Sequence, residues 1–283
     1  MAGKAEPSKN ANLAVRLATA AIGVPLILAL LYKGPTWSFF CLTLPAALIA
    51  AWEFFSMTHP EDKPSRYIGL VLTAAVASVL FLFTNDPKML TALIAVAPLL
   101  GTLVTLVRLG EIRTAALRAC AMGFGPLFVA VPLTWLAIMR RDIPGNDGPS
   151  YVVLSIMFAW FADSGGYFAG RFLGKHKLYE AVSPKKTIEG AIGGLAGALV
   201  GAVLASFWFL KTLPIEHSVP LALVAGALGQ AGDLGESLLK RSMGVKDSGA
   251  IVPGHGGILD RVDALMLTAT VVYLYTRFAL PLH

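Results

Sequence analysis

Residues 188–210 read IEGAIGGLAGALVGAVLASFWFL, a run in which Glu189 is the only charged side chain. Crossing the ~30 Å hydrocarbon core of a bilayer takes roughly 20 helical residues, so the run is long enough to span one. It lacks the apolar-polar alternation of a barrel strand. Lipid cannot satisfy exposed backbone groups, so a helix is the economical reading. Gly193, Gly197 and Gly201 recur every four positions, and Gly190 with Gly194 forms a second such pair. Small residues at that spacing let helices approach closely in lipid. Simple packing is the leading reading of this stripe; a Gly-lined cleft for an acyl chain or a phosphate is the alternative.

Working outward, comparable runs fall near 13–32, 37–57, 67–84, 88–107, 119–139, 151–170, 219–240 and 260–280, which makes nine candidate spans. Compact turn signals separate them: Lys33-Gly34-Pro35, His59 to Pro64, Asn85-Asp86-Pro87 and the stretch Pro144 to Pro149. The first run shows no small-residue cleavage site and is read as a retained span rather than a signal peptide. Hydrophobic residues make up 56% of the 283 residues and charged residues only 14%. An ordinary soluble domain carries about 25% charge, so disorder, a secreted disulfide scaffold and a cytosolic enzyme are all excluded. Cys41 and Cys120 both lie in apolar stretches and build neither a disulfide framework nor a thiolate metal site. The sequence predicts an all-α polytopic integral membrane protein with about nine transmembrane helices. It divides into a polar tail over 1–12, N-terminal transmembrane helices over 13–140, and a C-terminal transmembrane region over 150–283 whose cytoplasmic loops carry the candidate catalytic residues given below. No stretch reads as a separate soluble domain.

The net charge of +6 and a pI near 9.4 would raise nucleic-acid binding for a soluble protein. Here the positive-inside bias accounts for it, and no nucleic-acid partner is expected. With nine spans, 17 of the 23 Lys and Arg fall on the N-terminal tail and the even-numbered loops, against 6 on the opposite side. That division puts the N-terminus in the cytoplasm and the C-terminus outside, with 171–187 and 240–261 as the richest cytoplasmic loops.

Glu53, Asp163, Asp233 and Glu236 fall inside or at the ends of apolar spans, where an ionised group costs several kcal/mol unless paired or hydrated. Glu53 reads as a satisfied intramembrane partner rather than a catalyst. Asp233, Ser237 and Lys240 share a narrow helical stripe that leads into the eighth loop. From Ser237 to Asp263 the chain reads SLLKRSMGVKDSGAIVPGHGGILDRVD. Cations (Lys240, Arg241, Lys246, Arg261), carboxylates (Asp247, Asp260, Asp263), His255 and the glycines Gly249, Gly254, Gly256 and Gly257 are the composition of a polyphosphate site. Carboxylates hold a hard divalent cation through oxygen, cations neutralise phosphate, and flexible amides can form an anion-binding nest.

Blander explanations exist for single members. Lys240 and Arg241 suit a cytoplasmic connector, and Asp260 and Asp263 suit a helix start. His255, in a glycine turn with no apolar face to fill, reads as a ligand or phosphate contact. Asp163-Ser164-Gly165-Gly166-Tyr167 is expected to close the sixth span. Ser183-Pro184-Lys185-Lys186-Thr187 has the mixture of a phosphate-handling turn at a helix start, with a capping box as the competing explanation.

The run from Ser237 through Lys240-Arg241, Lys246-Asp247, Pro253, His255-Gly256-Gly257 and Asp260-Arg261 to Asp263 resembles the signature of the phosphatidate cytidylyltransferases, also called CDP-diacylglycerol synthases. Gly232-Asp233-Leu234, Asp163-Ser164-Gly165 with Gly170-Arg171, and Ser183 to Thr187 are similar to further blocks of that family. Val252 and Gly166 are mild departures, each small for small. The likeness is strong over the C-terminal half and rests on length, hydropathy and Glu53 before that.

The resemblance implies transfer of a cytidylyl group from CTP to phosphatidate with Mg²⁺, at the cytoplasmic side of the cell inner (plasma) membrane. It implies catalytic roles for Asp233, Asp260, Lys240 and Lys246, and metal ligation by Asp233 and Asp260, with Asp263 and Asp163 as further ligands. Substrate contacts fall to Arg241, His255, Gly256, Gly257, Arg261, Ser183, Lys185 and Lys186. Phosphatidate sits in membrane lipid, and a homodimer is left open. The competing classes are a transporter of an anionic solute, an alcohol phosphotransferase and a lipid-alcohol kinase.

Overall fold

A computed structural model describes residues 21, 23–249 and 256–280. Among them are nine α-helices, each falling on one of the expected runs, although residues 13–20 and 22 of the first run lie outside the described residues: α1 (Gly23–Lys33), α2 (Phe40–Thr58), α3 (Lys63–Leu82), α4 (Pro87–Val107), α5 (Ala115–Asp142), α6 (Asp147–Leu173), α7 (Ile188–Trp208), α8 (Ile215–Ser242) and α9 (Leu259–Phe278). Six segments, Phe40–Thr58, Lys63–Leu82, Pro87–Val107, Ile112–Asp142, Asp147–Leu173 and Ile188–Trp208, are long and apolar enough to cross a membrane. The chain is an integral membrane protein. The helices α8 and α9 fall short on composition because they carry the charges of the site.

Polar caps set several boundaries. Asp62 accepts from Ser65 N at the start of α3, and Asp86 accepts from Lys88 N and Met89 N at the start of α4. In both helices Pro follows within the first two positions, where its missing N–H costs nothing. The 28-residue α5 is the central element, packing on α2, α3 and α4 on one side and on α6 and α9 on the other. Its buried residues, among them Met122, Val129, Leu133 and Ile138, join the two halves into one hydrophobic core.

Two expectations need correcting. The chain is not purely α: within 171–187, β1 (Lys177–Tyr179) and β2 (Ser183–Thr187) pair antiparallel, with Lys177 opposite Thr187 and Tyr179 opposite Ser183. Two strands this short, one beginning Ser-Pro, leave no alternation to read, and they are held by docking beside α7. Second, Asp163 to Tyr167 do not end a helix. They lie inside α6, which runs on to Leu173.

The glycines there serve packing. A Cβ on Gly166 would stand 3.4 Å from Gly190 O, one on Gly165 or Gly197 would overlap the facing backbone, and α6 and α7 share the most extensive contact of the described helix pairs. The Gly stripe of α7 is thus a close-approach surface, as its spacing predicts.

Candidate active site

The site is assembled where α6, α8 and α9 converge. Asp163 (α6), Asp233 and Lys240 (α8), Asp260, Arg261 and Asp263 (α9) line one cavity of about 440 Å³, together with Asp247 and Gly256. Every lining residue but Gly256 is charged, five carboxylates against two cations. Asp163, Asp233 and Asp263 lie within electrostatic reach of one another. Asp260 and Asp263, three apart on α9, both line the cavity that Asp233 also lines.

Lys240 is the hub. Its Nζ pairs with Asp260 Oδ1 at 2.5 Å and with Glu236, one helical turn back and fully buried. The other oxygen of Asp260 gathers the eighth loop: Ser248 N donates at 3.0 Å, Ser248 Oγ lies at 2.9 Å and Gly257 N donates at 3.2 Å. The expected anion nest is therefore filled from within, since these amides bind a carboxylate of the protein itself. Gly256 adopts φ +79°, a conformation that glycine takes without strain. Asp233 pairs with Lys186 Nζ at 2.6 Å, a side-chain tie between β2 and α8.

A second cavity of about 340 Å³ adjoins the first and shares Asp163 and Asp233 with it. Its wall includes Tyr167, Arg171, Lys185, Lys186, Thr187 and Gln230, with Ala162, Leu178 and Ala191 giving it an apolar side. Thr187 caps α7 by accepting from Gly190 N at 3.0 Å. Glu189 does not close a capping box; it accepts from Lys175 N, His176 N and His176 Nδ1 and so ties the hairpin to α7.

Chemistry, rather than a preformed shell, suits this site to a hard dication. The donors are carboxylate oxygens in excess over cations. Among the described residues no three His, Cys, Asp or Glu converge as a ready coordination set. Mg²⁺ fits such a place, because it keeps several waters and takes only one or two carboxylates besides substrate phosphates.

A comparison with known proteins decides the family. The family model described as "Cytidylyltransferase family" matches residues 14–279. The chain belongs to the cytidylyltransferase family. It is 32% identical over 291 residues to a phosphatidate cytidylyltransferase of Synechocystis sp., covering 94% of this chain and 97% of that one. A phosphatidate cytidylyltransferase of Brucella suis is 35% identical over 266 residues, 93% of each chain. One from Staphylococcus haemolyticus is 46% identical over 121 residues, 43% of this chain and 46% of that one.

Within this cytidylyltransferase, Asp163, Asp233, Lys240, Gly256, Asp260, Arg261 and Asp263 meet in the charged cavity, and Lys185 and Lys186 line its neighbour. Ser183 begins β2 and lines neither cavity. Arg241 and Lys246 are exposed; Arg241 donates to Val245 O at 3.0 Å at the end of α8. The amide of Gly257 is committed to Asp260. His255 lies outside the described residues.

Glu53 is the satisfied intramembrane partner that the sequence predicts, and Ser248, which the sequence does not single out, is one of its contacts. Glu53 is 1% exposed on α2. It accepts from Ile258 N at 3.1 Å and Leu259 N at 2.8 Å, with Ser248 Oγ at 3.3 Å. An acid inside an apolar span was the available signal. Its partners, some 200 residues away, were not.

Proposed function

We propose that this cytidylyltransferase acts on CTP and phosphatidate, forming CDP-diacylglycerol and releasing pyrophosphate. The observation that carries the reading is the pair of adjoining cavities. One is walled by carboxylates and suits a metal-bound triphosphate; the other has basic residues on one side and apolar residues on the other and suits a lipid phosphate. In the reaction a phosphate oxygen of phosphatidate bonds to the α-phosphorus of CTP as the bond from that phosphorus to the pyrophosphate oxygen breaks. The phosphatidate phosphate is already an anion, so no covalent nucleophile is required of the protein.

The protein's task is to bring two anions together and hold them in line. Lys185, Lys186 and Arg171 offset the charge of the lipid phosphate. Arg261 and Lys240 face the phosphates of CTP. Asp233 and Asp260, with Asp163 and Asp263, would hold Mg²⁺, which when bound neutralises phosphate oxygens as charge builds on the leaving pyrophosphate.

The same reading sets nine spans with a cytoplasmic N-terminus, so that at the inner membrane both cavities face the cytoplasm, the side from which soluble CTP arrives. The 17 to 6 division of Lys and Arg supports this orientation. The deciding experiment is pyrophosphate release by the purified protein in detergent. Release is expected only with CTP, phosphatidate and Mg²⁺ together. A transporter releases none, and a lipid-alcohol kinase releases nucleoside diphosphate instead.

A further inference from the structure

Glu53 belongs to the N-terminal half of the chain, yet its hydrogen-bond partners among the described residues lie in or beside the eighth loop. Its two oxygens divide the work. Oε1 accepts from Ile258 N at 3.1 Å and Oε2 from Leu259 N at 2.8 Å, which caps the first turn of α9 one residue before Asp260. A carboxylate there also meets the positive end of the α9 dipole. Ser248 Oγ lies 3.3 Å from Glu53 Oε2 and 2.9 Å from Asp260 Oδ2, so one hydroxyl stands between the two acids. Its single proton serves one of them at a time, and the shorter contact is to Asp260.

The fit around Glu53 is close enough to exclude other side chains. A Cβ on Gly249 would stand 2.6 Å from Glu53 Oε1, and one on Gly257 would stand 2.6 Å from Oε2. Both ends of the described loop are therefore pressed against one α2 carboxylate. From Asp260 the chain of contacts continues to Lys240 and Glu236.

We propose that Glu53 is a positioning residue of this active site: through Ser248 and the first turn of α9 it fixes where Asp260 stands relative to Lys240. The inference rests on the cytidylyl-transfer reading for its activity readout but not for its structural one. A misplacement on the order of 1 Å at a reacting centre costs about a hundredfold in rate, so a residue that never touches substrate can still govern turnover.

The test uses the full chain in detergent and three variants: Glu53→Gln, Glu53→Asp and Ser248→Ala. Ser248→Ala removes the hydroxyl that stands between Glu53 and Asp260 while the residue 248 amide stays on Asp260 and the α9 cap stays in place, so it is read for turnover. A fall in kcat of about tenfold or more, with KM for phosphatidate unchanged, is expected. Glu53→Gln should lower kcat about a hundredfold and raise the Mg²⁺ midpoint. Hydrogen exchange across 256–262 should also quicken in this variant, with Glu53→Asp in between. Wild-type kcat and Mg²⁺ midpoint in Ser248→Ala overturns the proposal, as does unchanged exchange across 256–262 in Glu53→Gln. If Glu53→Gln does not fold, Ser248→Ala decides alone. If wild-type protein releases no pyrophosphate from CTP, the functional reading fails and the exchange experiment still judges the positioning role.

Discussion

Asp233 Oδ2 and Lys186 Nζ stand 2.6 Å apart, joining the middle of the site to a strand that hydropathy gave no reason to expect. Asp233 and Lys240 share a helical stripe in the sequence, yet they do not pair. Seven residues of helix rise about 10 Å, too far for contact. Glu236, a single turn from Lys240, takes that place. The Asp233–Lys186 pair instead sits where the two cavities meet, between the proposed places of the metal-bound nucleotide and the lipid phosphate.

Asp233→Asn should leave the fold intact while abolishing most activity. The side chains of the pair are 26% and 30% exposed, and such a pair contributes about 1 kcal/mol or less to stability. The melting temperature should move little. Turnover should drop by about two orders of magnitude, with a higher Mg²⁺ midpoint in pyrophosphate-release titrations. Near-normal turnover with an unchanged midpoint makes Asp233 a partner of Lys186 and no more.

Asp260→Asn should behave differently, although both residues are expected metal ligands. Asp260 is only 14% exposed and holds Lys240, the Ser248 amide and hydroxyl, and the Gly257 amide. Breaking one side of a buried pair costs about 3 kcal/mol or more. Thermal unfolding should therefore separate this variant from Asp233→Asn, with Asp260→Asn clearly the less stable. Equal melting temperatures for the two contradict the network described here.

Chelation should stop the reaction reversibly. EDTA should abolish CTP-dependent pyrophosphate release, and Mg²⁺ in excess should restore it without refolding, because Asp233 and Asp260 are held in place by Lys186, Lys240 and the Ser248 and Gly257 amides. Full activity in EDTA refutes the metal assignment.

The α6–α7 contact gives a prediction independent of catalysis. A Cβ on Gly197 would overlap Phe161 O, whereas one on Gly201 would lie 3.6 Å from the Phe161 ring, an ordinary contact. Gly197→Ala should cost about 1–3 kcal/mol through overpacking, and Gly201→Ala should be neutral. Comparing their melting temperatures in the same detergent checks the distance between the helices.

Orientation can be read by labelling. After replacement of Cys41 and Cys120, both exposed, single cysteines in place of Lys175 and Lys246 should react from the cytoplasmic side, and one in place of Asn146 from the other. Gly249 is unsuitable as a probe, because its side chain would collide with Glu53. Labelling of the Lys246 position from outside puts the cavities on the wrong face for CTP.

The sequence by itself determined the helices. A run such as 188–210 has its fate settled locally, because each residue meets lipid or a neighbouring helix and every backbone group must bond within its own segment. It also determined that acids would gather at the site, since Asp260 and Asp263 at helical spacing can only face one way. What it could not decide is who partners whom. The bond from Ile258 N to Glu53 spans 205 residues, and the contact of Ser248 with Glu53 spans 195. Which acid meets which cation or amide depends on how α2, α8 and α9 pack, and no periodicity along one helix records the face of another. The hairpin at 177–187 was hidden for the same reason: strands of three and five residues hold their shape by docking on α7, not by a pattern of their own.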